Sequence, residues 1–324
     1  MVEQWKAGGG PGPRNAELRA RRERQRRRRA RRRRLAAAAL LAAAAIVAVV
    51  LLTTSSGGRE RTSARIADES ALTSGGGGGE AGAHAKSSPA AGTARNATPQ
   101  PDWRPHTGPV PILEYHVLGS PAPGVAYPEL YVTRPDFHRQ MDWLERAGYQ
   151  AVTLEQVERA WFNGGTLPPK PVVLTFDDGY RPQFTYALPE LRRHGWAGVL
   201  NLKAEGSDLY PSNVEAMIAA GWELAAHTIH HLDLTTLDAA GLREETAGAR
   251  AVLRREYGVP VRNFCYPSGR FDETVIAAVR AAGYTGATTE IPGYATSDRP
   301  FELARFEVLR STGVVGVAAD LRSG

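Results

Sequence analysis

Two clusters of side chains in this 324-residue chain could do chemistry. The first is Thr175-Phe176-Asp177-Asp178-Gly179, closing the very apolar run 172–176. Adjacent carboxylates at the end of a buried strand are costly unless a metal or hydrogen bonds compensate them. Gly179 permits a turn that swings both toward one site, although Asp-Asp-Gly is equally an ordinary turn after a strand. The second cluster is His227-Thr228-Ile229-His230-His231, which follows the run 222–226. His227 and His231 stand four apart, so one helical turn or tight loop brings both imidazoles to one face. Two histidines and one carboxylate make a three-ligand metal site with positions left for water and substrate. Zn2+ is the default ion for such donors, and Co2+, Ni2+ or Fe2+ suit similar ones.

Two further clusters are weaker by themselves. In Phe264-Cys265-Tyr266-Pro267-Ser268-Gly269-Arg270-Phe271-Asp272 the aromatic, Pro and Gly residues could wall a groove and present backbone N–H groups, but unaided they read as loop architecture. In Pro111-Ile112-Leu113-Glu114-Tyr115-His116, the two-residue period of a strand puts Glu114 and His116 on one face. Alone, that His reads as structural.

The elements that must position these residues follow from periodicity. Short β-rich runs are expected at 112–116, 150–153, 172–176, 198–202, 222–226, 263–266, 284–288 and 305–309. Helical patterns lie between them. One carries Phe137, Met141 and Leu144 at core spacing, and one opens at Ser212 with a capping-box pattern. A long one over 237–257 stops at Gly258, and another runs over 272–282 before Gly283. Strands alternating with helices argue for an α/β fold with a parallel sheet, and seven or eight units argue for a deformed (β/α) barrel. An open doubly wound sheet is the alternative, but no glycine-rich dinucleotide fingerprint follows the first strand. In a barrel the reactive groups belong at the C-terminal ends of the strands, and each polar cluster falls there.

The N-terminal part is different material. Residues 1–34 carry net +11 within a whole-chain charge of +6, so residues 35–324 carry about −5. The basic character belongs to the tail, which argues against a folded domain built to grip nucleic acid. Residues 35–52 are an unbroken apolar run long enough to span a bilayer as a helix, and the Arg-rich flank should stay cytoplasmic. A cleaved signal peptide is the competing reading. Residues 53–107, rich in Gly, Ser and Ala, read as a flexible linker to a folded domain over 108–324. With Cys265 the single cysteine, the domain has no internal disulfide and relies on its core.

Taken in order, Thr175–Gly179, His227–His231 and the Phe264 to Gly269 motif resemble the polysaccharide deacetylases with a NodB-type domain, carbohydrate esterase family 4. Ile112-Leu-Glu-Tyr-His116 and Leu303-Ala-Arg305 resemble the branch that de-N-acetylates poly-β-1,6-N-acetylglucosamine. The likeness covers about 108–312. It implies a single divalent metal on Asp178, His227 and His231, with Asp177 as general base. The family's late general-acid His is absent, since no His follows His231. In the branch just named the first strand supplies it, and His116 fits that place. Many members carry an Arg beside the base where this chain has Cys265, and Arg305 is the candidate substitute. The backbone N–H of Tyr266 is the candidate oxyanion donor, and Glu114 stands in for a missing Asp-Trp pair as partner of His116. The implied reaction removes N-acetyl groups from N-acetylglucosamine units of an extracytoplasmic polysaccharide. Alternatives are peptidoglycan, chitin oligomers, an O-acetylated polymer, or a catalytically silent carbohydrate-binding module.

Overall fold

A computed structural model describes residues 92–322. The expectations for the basic tail 1–34, the apolar span 35–52 and the linker up to residue 91 lie outside these residues. Among the described residues no helix is long and apolar enough to cross a membrane.

Every strand expected from the sequence is present, displaced by no more than two residues at its ends. They are β1 Val110–Tyr115, β2 Gln150–Val152, β3 Pro171–Asp177, β4 Val199–Leu202, β5 Glu223–Ala226, β6 Asn263–Cys265, β7 Gly286–Thr288 and β8 Phe306–Glu307. Strands β1, β3, β4, β5, β6 and β7 lie side by side in that order, all parallel. On the other edge of β1 lies β8, also parallel, with Phe306 opposite Leu113. Just before β8, Leu303 bridges back to Thr288 of β7. The sheet therefore curls until its two ends are joined by that one bridge. Strand β2 pairs only with the start of β3, and the antiparallel strand Tyr294–Ala295 lies on β1. These irregularities make the barrel a deformed one.

Burial explains why the central strands read as continuous apolar runs. Every residue of β1 and β3 is buried, because helices cover one face and barrel side chains fill the other. Helix α1, Arg134–Arg146, starts where the Thr133 side chain accepts from the Asp136 N–H, and it buries Phe137, Met141 and Leu144 as its spacing requires. Helix α2, Leu154–Asn163, was not expected. A reciprocal box between Thr153 and Gln156 opens it, and Gly164 at φ 67° closes it. Helix α3, Pro211–Ala219, begins ahead of the expected Ser212, where Asn213 Oδ1 accepts from the Tyr210 N–H at 3.1 Å. The long pattern ending at Gly258 is broken: Ala239–Arg243 is followed by a π turn at Glu244–Gly248 and then by helix α4, Ala249–Tyr257. Helix α5, Glu273–Ala281, is capped by Asp272.

The folded domain starts earlier than 108, which corrects the expected linker boundary. The Ala94 N–H donates to Ala220 O at 2.9 Å, and Asn96 Nδ2 donates to Ala151 O at 3.1 Å. Trp103 is buried, and Arg104–Pro105 pairs antiparallel with Thr166–Leu167. Ala97 packs so closely on Gly221 that a Cβ there would meet the Ala97 Cβ at 2.4 Å. Small side chains let this segment wrap the end where the strands begin. Their resemblance to linker composition hid it.

Candidate active site

The site is assembled where β1, β3, β5 and β6 end. Four non-glycine residues among those described have positive φ: Asp178 (75°), Thr228 (65°), His231 (57°) and Ser268 (53°). All four lie in the loops that follow β3, β5 and β6. Such conformations cost about 1–3 kcal/mol each and persist only where the surroundings hold them, so strain is concentrated at this one face.

Asp178, His227 and His231 come together here. Asp178 Oδ1 lies 3.8 Å from His227 Nε2 and 3.6 Å from His231 Nε2, and it is buried with no hydrogen-bond partner. Nδ1 of His227 donates to the Cys265 carbonyl at 2.9 Å, which leaves Nε2 as a lone pair aimed at Asp178. Burial lowers the pKa of both imidazoles, that of His231 to about 4, so both are neutral near pH 7. An orphaned carboxylate oxygen facing two neutral imidazoles, that of His227 with its Nε2 lone pair free, fits a divalent cation. Lys203 Nζ, 3.6 Å from the same oxygen, is the nearest cation among the described residues.

Asp177 turns the other way, into the barrel. Its carboxylate receives Arg305 Nη1 at 2.9 Å, Asn201 Nδ2 at 2.6 Å and the Cys265 thiol at 3.3 Å. Burial opposes its ionisation, but Arg305, then His227 and His116, and the Asn201 hydrogen bond hold its pKa below the ordinary carboxylate range. Arg305 is itself buried and also reaches Glu114 Oε2 at 3.2 Å, Thr175 Oγ1 at 3.0 Å and Cys265 Sγ at 3.3 Å. Cys265 is short, and the guanidinium arriving from the residue before β8 fills the room beside it. Glu114 responds in the opposite sense to Asp177. Burial drives its pKa well up, Arg305 offsets part of that, and the Asp177 charge adds to it. Two acids sharing one guanidinium are thus pushed apart in pKa.

His116 lies across from the metal-type cluster, its Nε2 3.6 Å from Glu114 Oε1 and its Nδ1 buried without a hydrogen-bond partner. One donor atom from each of Glu114, His116 and Asp177 falls within a common 4.8 Å. The backbone N–H of Tyr266, the expected oxyanion donor, is engaged within the fold. Its N–H donates to Thr288 O at 3.2 Å and its hydroxyl to Phe301 O at 3.0 Å. Both donors brace the third loop.

Sequence reasoning missed the residues that hold these groups in place. Asn201 is one, a polar residue alone in the apolar strand β4. Two others come from π turns. Gln183, opening the turn Gln183–Ala187, donates through Nε2 to the carbonyls of His116 (2.9 Å) and Asp177 (2.6 Å). Glu245, in the turn Glu244–Gly248, accepts from the N–H groups of Ile229 and His230, both at 3.0 Å, and from His230 Nδ1 at 2.6 Å. A π turn widens a helix by one residue and re-aims a side chain, and here both aim one at a strained loop.

Part of the chain resembles known proteins. Residues 164–287 match the polysaccharide deacetylase family. The Bacillus subtilis (strain 168) protein YxkH, assigned to the polysaccharide deacetylases, is 29% identical over 214 residues, which cover 64% of this chain and 74% of YxkH. The poly-β-1,6-N-acetyl-D-glucosamine N-deacetylase of Escherichia coli (strain K12) is 37% identical over 95 residues, 29% of this chain but only 14% of that protein. Among solved structures, the Streptococcus pyogenes deacetylase PplD in complex with acetate superimposes with a TM-score of 0.62 at 23% identity, over 67% of this chain and 99% of PplD, a likeness of fold.

Proposed function

We propose that this chain, whose residues 164–287 match the polysaccharide deacetylase family, is a hydrolase that removes N-acetyl groups from N-acetylglucosamine units of an extracytoplasmic polysaccharide. The observation that carries this reading is the pairing of two unlike acids at adjacent positions. Asp178 faces two neutral imidazoles with an unpartnered oxygen, while Asp177 is kept ionised by a buried Arg305. One carboxylate is suited to a metal and the other to a proton.

Asp178, His227 and His231 would hold one divalent cation, with Zn2+ the ion that two imidazoles and one carboxylate favour. When bound, it supplies a Lewis acid for the acetyl carbonyl and for water. Asp177 takes the proton of the water that adds to the acetyl carbon. Its two nitrogen donors, Arg305 and Asn201, fix the carboxylate and keep it ionised before the proton arrives. As the C–N bond breaks, His116 delivers a proton to the leaving amine, so acetate and a free amino sugar result. Glu114, 3.6 Å from His116 Nε2, orients that imidazole. The likeness of one segment to the Escherichia coli poly-β-1,6-N-acetyl-D-glucosamine N-deacetylase supports a β-1,6-linked polymer as substrate. The apolar run 35–52 behind its arginine flank supports a membrane anchor with the hydrolase domain outside.

The test is acetate release from β-1,6-linked N-acetylglucosamine oligomers, with metal and after chelation. Asp177→Asn and His116→Ala should each lower turnover by about 10²–10⁴-fold while metal still binds. Unchanged turnover in either variant removes that residue from the mechanism. Release from peptidoglycan or chitin fragments alone keeps the chemistry and moves the substrate. Bound metal with no release from any polymer rejects the hydrolase.

A further inference from the structure

The end of the barrel where the strands begin carries a group of charges that the reaction does not use. Arg250, Arg254, Arg255 and Arg262 surround one hollow floored by Gly258, Val259 and Pro260, and no acidic side chain lines it. Arg250 is held rigidly, its Nε donating to Val261 O at 2.8 Å and its Nη1 to Ala282 O at 3.1 Å, with the guanidinium over the Tyr284 ring. Arg254 and Arg255 are exposed in the last turn of α4 and make no ion pair among the described residues. Arg262 has only a long contact, 3.6 Å, to Glu155, which Arg159 also engages at 3.0 Å. Basic residues often close a helix because they answer its dipole. That accounts for Arg254 and Arg255, but not for Arg250 at the start of α4 or Arg262 ahead of β6.

Position narrows the partner. The described chain enters the domain at this same end: Ala97 and Pro99 line an adjoining hollow that shares Val259 and Pro260 with the arginine one. The strained loops and the reactive carboxylates are at the opposite ends of the strands. A chain anchored through 35–52 would therefore reach its folded domain beside the arginines. Guanidinium groups match phosphate oxygens in a forked geometry, and an acidic bilayer surface presents such oxygens in quantity.

We propose that the hollow formed by Arg250, Arg254, Arg255 and Arg262 docks the domain on acidic phospholipid headgroups, turning the reactive face away from the bilayer. This rests on the membrane reading above. Each arginine near an acidic surface should add about fivefold to the docked population, and salt should erode it.

The full chain is placed in nanodiscs of phosphatidylcholine with a headgroup-borne quencher, with or without phosphatidylglycerol. A fluorophore is attached at Ala251→Cys beside the hollow or, as control, at Ile291→Cys beyond β7. Cys265 is buried and leaves the introduced thiol as the accessible one. The Ala251→Cys label should be quenched only in acidic discs, and less as salt rises. Arg254→Glu with Arg255→Glu should return it to the level of neutral discs. Equal quenching in both discs, indifference to charge reversal, or quenching at Ile291→Cys instead would each overturn the docking. A chain that inserts into discs but keeps both labels unquenched overturns docking alone. One that never inserts overturns the anchor and the docking together.

Discussion

Asp177, where the strands finish, lies against Arg305 and is held ionised; Glu158 and Glu223, where the strands begin, are met chiefly by neutral donors. Glu158 Oε2 accepts from the Thr285 hydroxyl at 2.7 Å, and Glu223 accepts from Asn263 Nδ2 and from the Glu155 N–H, both at 2.9 Å. Burial then dominates and lifts both pKa values to about 7. Desolvation opposes charge at both ends, so what differs is the partner. A guanidinium keeps one carboxylate charged for work, whereas hydroxyl and amide donors let the others keep a proton. The same contrast operates within the site itself, where Glu114 holds the weaker share of Arg305 and is driven up in pKa.

Removing the guanidinium should break the contrast most severely. Arg305→Met leaves Asp177 and Glu114 buried without a counter-charge, and the loss of one member of a buried ion pair costs about 3–5 kcal/mol. Denaturant midpoints, compared with those of Glu114→Gln, measure it. A loss near 1 kcal/mol would mean that Asn201 and Cys265 suffice to hold Asp177. The charge partner would then not be what separates the two ends.

A smaller effect sharpens the account of the strained face. Glu245 is buried and ties down two amides of the loop between His227 and His231. Glu245→Ala should weaken metal binding by roughly 10–100-fold, the range for outer-shell partners. Glu245→Gln, which keeps an acceptor for both amides, should recover part of it. Competition with a chromophoric chelator reads this directly. Equal affinities in all three proteins would show that the loop keeps its strained shape without Glu245.

How much of this was legible depends on whether a signal is local. The eight strands were readable because each is an apolar run bounded by turn residues, as in 172–176 against the observed Pro171–Asp177. The Asp and His clusters were readable because unusual residues sit next to one another in sequence. Helix α2 carries local signals of its own, since Thr153, Gln156 and Gly164 mark both its ends. Arg305 was expected near the base on resemblance alone. Its route, from the residue ahead of β8 through the barrel to Asp177, depends on the closure between β7 and β8, and no periodicity reports that. Gln183 and Glu245 were hidden for a related reason: ideal helical spacing points them elsewhere, and only the π turns bring them to the loops they bond.

The gentlest test addresses the other end of the barrel. Glu158 Oε1 and Asn263 Oδ1 are both buried acceptors without a hydrogen-bond partner, and a Cβ at Gly286 would meet them at 2.4 and 2.7 Å, so they crowd the same spot. A proton on Glu158 turns one of these two neighbouring acceptors into a donor. Its folded pKa, about 7, lies above the ordinary glutamate value of 4.5, so the folded state holds a proton that the unfolded chain releases earlier. Its contribution to stability is therefore complete below pH 4.5 and lost as pH rises through 7. Between pH 5 and pH 8 this one group should remove about 2 kcal/mol. Glu158→Gln, whose amide N–H can donate in place of the acid at any pH, should flatten that share of the profile. Urea unfolding of both proteins across this range gives the difference, free of titrations they share. Parallel profiles would mean that Glu158 stays ionised in the fold, and that neutral donors can hold a buried carboxylate as firmly as Arg305 does.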